Sequence, residues 1–350
     1  MWYCISDSGE LTGNTTKMTE HNMLEKYKGC ILGMAIGDAL GAPVEFLSME
    51  KIKEKYGEKG IAKFDEWDGF EAGSYTDDTQ LSLATAKACI HSHFTLMRGG
   101  EARSQEFMYK SYQEWLEGMN DPLQVRRPGY TCMSVLQSGE KGSIENPIND
   151  STEVSGLLRT ASVGLSFPSG MAFREGADYA ALTHGHPSSY YAAGFLSEII
   201  AHIIEGKSLQ DSVELSIEQL TAFDKHKELY QSVEKALELF IDQTPVEESI
   251  PQLGEGTTAG EVLAIGVFCS LKHVFDFPEG VLAAVNHSGA STSSGLVTGT
   301  ILGTLIGDEA IPEEWSSEVE NAKDLVELAE DMHKVFKKRE RISFEKYSLE

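Results

Sequence analysis

The sequence predicts an all-α fold, a single compact domain of many helices, and three observations support that prediction. Strand signals are scarce, whereas apolar residues recur at helical spacing along most of the 350 residues. Two glycine sets, Gly29, Gly33, Gly37, Gly41 and Gly295, Gly299, Gly303, Gly307, repeat at four-residue intervals and leave one face of each of two helices bare. No tandem repeat and no linker divides the chain, and 41% hydrophobic residues suffice for a large core.

Helices are expected, in order, near residues 24–41, 78–92, 101–118, 190–206, 208–220, 224–241, 259–274, 278–286, 294–306 and 317–337. The first and ninth carry the glycine stripes. Glycine costs about 1 kcal/mol per interior helical site relative to alanine, so each stripe implies a close neighbouring backbone. The second helix opens after Thr76, a hydroxyl suited to an N-cap, with Asp77 and Asp78 in its first turn. Phe107, Tyr112, Trp115 and Leu116 share a face of the third, and Leu325, Leu328, Met332 and Val335 a face of the last. RRPGY, ENPIND and THGHPSS supply turn chemistry between helices. Residues 1–22 read as a loose polar extension, 23–340 as the domain and 341–350 as a C-terminal tail.

Composition excludes several functions. With 55 acidic and 29 basic residues the net charge is −26, which repels nucleic acid and anionic membranes. The same charge favours solubility and leaves room for a basic protein partner. The first residues lack the basic start and apolar run of a signal peptide. No apolar run reaches the ~18–20 residues of a membrane span. Five scattered cysteines without CxxC spacing read as reduced thiols, and the expected location is cytoplasmic.

Candidate chemistry concentrates in a few stretches. Thr76, Asp77 and Asp78 place three hard oxygen ligands side by side, suited to magnesium or calcium, although acids in a first helical turn also serve the helix dipole. Asp38 and Glu45 bracket the end of the first glycine helix, and Glu45, past Pro43, is placed to act as a general base. His184 and His186 in THGHP lack a third nitrogen or sulfur ligand nearby, which favours hydrogen bonding over metal binding. The loops at Gly129–Tyr130 and Asn149–Ser151 are able to present backbone N–H groups to a phosphate. Gly-x-Ser-x-Gly, Walker A and Rossmann patterns are absent.

In order, GCILGMAIGDALGAPVEF, SYTDDTQ, RRPGYTC, NDS with GLLR, THGHP, LGEG with EVLAIGVFCSL, NHSG with GLVTGTILG, and IPEEW resemble the ADP-ribosylglycohydrolases. The resemblance runs from roughly Lys28 to Lys338. It implies an all-α fold around a central cleft, ADP-ribose as ligand and hydrolysis of its bond to an acceptor with two magnesium ions. Thr76, Asp77 and Asp78 would be metal ligands and Glu45 the catalytic acid. Gly129, Tyr130, Ser151, Gly156 and His184 would face ADP-ribose.

The chain departs from that pattern where charge matters. A cluster that resembles HSGDSDS in the family reads His287-Ser-Gly-Ala-Ser-Thr-Ser293, so Ala290 and Thr292 replace two carboxylates. A loop similar to SKGCGxxMR reads Ser151-Thr-Glu-Val-Ser-Gly156-Leu-Leu-Arg159, adding Glu153 where an anion should dock. Thr257 replaces a tryptophan frequent after LGEG. The expectation is therefore at most one bound Mg2+ and an impaired or inactive enzyme redeployed as a soluble structural protein, similar to jellyfish lens crystallins that resemble this family. A working metal-dependent hydrolase and an antitoxin-type binding protein are the alternatives.

Overall fold

The computed structural model describes residues 20–101 and 103–349. The expected loose extension falls almost entirely outside the described residues. Among those described there are seventeen α-helices and no β-strand, only an isolated bridge between Trp67 and Phe70. In chain order the helices are α1 (Glu20–Gly41), α2 (Met49–Tyr56), α3 (Asp77–Met97), α4 (Ser104–Gly118), α5 (Tyr130–Ser138) and α6 (Ser155–Leu158). Then come α7 (Ala161–Ser166), α8 (Met171–Ala181), α9 (Pro187–Ile204), α10 (Leu209–Thr221), α11 (Lys227–Ile241) and α12 (Val246–Leu253). The last are α13 (Ala259–Lys272), α14 (Phe277–Val285), α15 (Ser291–Ile306), α16 (Glu313–Glu318) and α17 (Ala322–His333). The all-α expectation holds.

Two kinds of helix build the molecule. α9, α13 and α15 are buried along nearly their whole length, in keeping with their predominantly apolar and small residues. Around them lie amphipathic helices such as α11, which buries only Leu229, Val233, Ala236 and Leu239. No single described helix is long and apolar enough to cross a membrane. Four cysteines among the described residues (Cys30, Cys89, Cys132, Cys269) are free and buried.

The glycine stripes meet. A methyl group added to Gly29, Gly33 or Gly37 would collide with the carbonyl oxygen of Gly303, Gly299 or Gly295, and the converse substitutions collide as well. The two backbones therefore lie closer than any side chain permits. At the end of the seam, Gly41 abuts the backbone of Ser291 and Thr292, which brings the exit of α1 to the entrance of α15.

One expected helix is corrected. Residues 317–337 do not form a continuous helix: α16 stops at Glu318, Asn321 adopts a left-handed φ of 54°, and α17 starts afresh before a terminal π-turn at Lys334–Lys338. Glu320 leaves the helix because its N–H donates to Gly73 O (3.0 Å) and its carboxylate pairs with Arg126. The C-terminal segment is docked, with Leu349 N donating to His91 Nδ1 at 3.2 Å and the Tyr347 hydroxyl to Asp331 at 2.8 Å.

We predict that Gly299→Ala destabilises the protein by at least about 3 kcal/mol, the upper end of overpacking costs, because the obstacle is backbone. Gly118→Ala, where nothing lies within 4 Å, should cause no loss. Chemical denaturation of both variants checks this, and equal stability would refute the interlock.

Candidate functional site

Asp38, in the last turn of α1, is fully buried and ties that helix to the start of α3. Its carboxylate accepts from Thr76 N (3.0 and 3.1 Å), Thr79 N (3.1 Å) and Thr79 Oγ1 (2.5 Å). Burial pushes its pKa up to about 6 despite these donors. Thr76 is the N-cap foreseen from sequence, its hydroxyl accepting from Asp78 N at 3.3 Å.

The two following acids are crowded. Asp77 is buried, its N–H donates to Arg126 O at 3.2 Å, and its Oδ2 takes no hydrogen bond. Burial raises its carboxyl well above the usual range, and the nearby Asp38 and Glu153 add to this, against a backbone hydrogen bond from Gly129. Burial likewise raises Asp78, helped by Asp77, Asp38, Glu153 and Glu45.

Glu45 follows the turn Ala42–Val44 and reaches across to α15, where Thr292 N donates to Oε2 at 2.6 Å. Burial raises its pKa to about 7, against the Thr292 bond and the Arg127 charge. Arg127 braces the same turn by donating to Ala42 O at 2.9 Å and pairing with Asp68 at 2.6 Å. Ala290 is buried and offers no side-chain oxygen; its N–H donates to Glu255 O at 2.7 Å, so the LGEG turn holds the NHSG loop in place. The structure thus brings Thr76, Asp77, Asp78, Glu45, Ala290 and Thr292 into one region at the junction of α1, α3 and α15. Among the described residues no group of three or more His, Cys, Asp or Glu side chains is spaced to hold a metal ion.

The expected ligand-facing residues are less uniform. Gly129 lies beside the carboxylate of Glu153, 2.6 Å from where its own Cβ would stand. Ser151 Oγ bonds Thr131 Oγ1 at 2.8 Å, and Gly156 packs on the His184 ring. Tyr130 is 85% exposed. His184 is completely buried and contacts Glu153 Oε2 through Nε2 at 2.6 Å. His186 caps α9, accepting from Ser188 N at 3.2 Å.

Sequence reading missed two residues. Arg159 is fully buried with no carboxylate among its hydrogen-bond partners; it donates to Tyr179 O (3.0 Å) and Thr183 Oγ1 (2.7 Å) and lies over the Tyr112 ring. Thr79 supplies the shortest contact to Asp38. The SYTDDTQ stretch hinted at Thr79 only through its hydroxyl one turn after the cap.

The family profile described as ADP-ribosylglycohydrolase matches residues 19–342. The chain belongs to the ADP-ribosylglycohydrolase family. An uncharacterised protein of Archaeoglobus fulgidus is 27% identical, the match covering 89% of this chain and 97% of that protein. The ADP-ribosyl-dinitrogen reductase glycohydrolase of Rhodospirillum rubrum is 25% identical over 87% of this chain and 93% of its own. ADP-ribosylhydrolase ARH3 of Bos taurus is 23% identical over 90% and 94%. A solved structure described as an ADP-ribosylglycohydrolase-related protein complex superposes with a TM-score of 0.66 at 22% identity, covering 89% of this chain and 98% of that one, and shares its fold.

These four acids bind protons more tightly folded than their ordinary values allow. A raised carboxyl favours the native state at low pH and loses that advantage as pH rises through its folded value. Buried His184 and His287 act oppositely at low pH. We predict that in chelator-treated protein the melting temperature falls more steeply above about pH 4 in wild type than in Asp77→Asn. Parallel pH profiles would contradict the carboxylate crowding.

Proposed function

We propose that this member of the family keeps the scaffold and the cleft but has lost paired-magnesium hydrolysis. In this reading its metal region holds at most one ion, and the protein serves as a soluble acidic structural protein. The observation that carries the reading is the pairing of Glu45 with the Thr292 amide, together with an Ala290 that has no side-chain oxygen. Two divalent ions need converging hard oxygens. Thr76 and Thr79 fill Asp38, and Thr292 N occupies one oxygen of Glu45, so hard-oxygen capacity is left on Asp77, Asp78 and the other Glu45 oxygen. That donor set does not fit a metal pair; it suits a single Mg2+ beside Thr76, Asp77 and Asp78.

ADP-ribose is the ligand class that membership of the family suggests for the cleft, and the net charge of −26 suits a protein held at high concentration. Glu45 favours a second reading. A carboxyl with a pKa of about 7 works as a general base at neutral pH, so residual single-ion hydrolysis would increase as pH rises through that value.

Release of ADP-ribose from a modified protein substrate separates these readings. We expect the wild-type rate with magnesium to equal that of Asp78→Ala. We also expect Ala290→Asp/Thr292→Asp to show a larger magnesium-dependent rise in melting temperature than wild type, since a ligand that binds only the folded state stabilises it. Magnesium-dependent wild-type turnover abolished by Asp78→Ala and Glu45→Gln would replace the first reading with the second.

A further inference from the structure

Glu153 is held as a bound ligand would be. Its Oε2 accepts from Ser155 Oγ at 2.8 Å and faces His184 Nε2 at 2.6 Å, and its Oε1 accepts from Ser155 N at 3.3 Å. Ser155 and His184 are both buried, while the Glu153 side chain is 28% exposed. Gly129 leaves the space: a methyl group there would lie 2.6 Å from Glu153 Oε1.

A hydrogen-bond chain sets the sign of this contact. Arg159 can only donate, so Thr183 Oγ1 accepts from Nη2 at 2.7 Å and its proton is directed at His184 Nδ1, 2.8 Å away. His184 Nδ1 therefore accepts, and Nε2 carries the ring proton and donates to Glu153. Burial lowers the His184 pKa against the hydrogen bond and charge of Glu153, and the Arg159 charge lowers it further. The arrangement is three donors converging on one oxyanion, with a buried guanidinium behind them, and the oxyanion is supplied by the chain itself.

We propose that Glu153 is a tethered anion filling an oxyanion seat made by Ser155, His184 and the open side of Gly129, so that the cleft refuses phosphate-type groups at this point. The exclusion is both steric and electrostatic. A phosphate would need the same donors, and Asp77 close by adds a second negative field when ionised. Removing the carboxylate leaves donors facing a small open space. The inference stands apart from the metal question, because no divalent ion enters it.

Calorimetric titration with inorganic phosphate tests it. Wild type should show no saturable binding, and its His184 ring resonances should not move when phosphate is added. Glu153→Ala should bind phosphate at least about tenfold more tightly than wild type, a gain of ~1.4 kcal/mol or more. Adding His184→Ala to that variant should abolish the gain. Asp150→Ala, which removes one exposed charge from the same loop, should leave binding at the wild-type level. Saturable phosphate binding by wild type with movement of the His184 resonances would overturn the proposal whether or not the variants fold. A folded Glu153→Ala protein without gain, a gain that survives His184→Ala, or an equal gain in Asp150→Ala would do the same.

Discussion

Backbone-to-backbone contact between α1 and α15 governs the junction where the acids gather. With Gly29, Gly33 and Gly37 set against Gly303, Gly299 and Gly295, neither helix can slide or roll without driving a carbonyl into a Cα. Gly41 carries the seam to the backbone of Ser291 and Thr292. Asp38 and Glu45, one on either side of that point, inherit the rigidity. Asp38 passes it to α3 through Thr76 and Thr79, and Glu45 returns it to α15 through the Thr292 amide. The glycines lower intrinsic helix stability, and the packing they permit offsets that loss.

Charge is the counterpart to this rigidity. Four acids meet where three helix ends converge, and burial leaves them with raised pKa values. A bound cation would relieve that crowding. Backbone amides and the Thr79 hydroxyl meet part of it, and no carboxylate at 290 or 292 adds to it. Close to Asp77, Glu153 finds its compensation in His184 and Ser155. In both places groups of the chain itself meet part of the carboxylate charge, while Asp77 Oδ2 takes no hydrogen bond.

Much of this was legible in the sequence because it rests on local periodicity. The long helices, the two glycine stripes and the Thr76 cap follow from residue spacing, and the ordered motifs pointed to the family. Short helices escaped notice. α6 and α7, rich in Ser, Gly and Ala, carry little apolar contrast; α8 and α12 have clear apolar faces and were passed over between turn-rich stretches. The break at Asn321 was hidden because its causes, Gly73 and Arg126, lie some two hundred residues away. Glu153 presents the same difficulty. Its charge is plain in the sequence and suggests repulsion, but its inward orientation depends on His184, which the fold brings from 31 positions downstream. Arg159 gave no local signal at all, since its partners come from α5, α8 and the THGHP turn.

The most direct test of the account is to count the metal ions the cleft accepts. Crystals soaked in manganese and read by anomalous scattering should show no more than one peak, beside Asp77 and Asp78, with Glu45 still accepting from Thr292 N. Two ordered peaks about 3.5–4 Å apart, the spacing of a working metal pair, would contradict it.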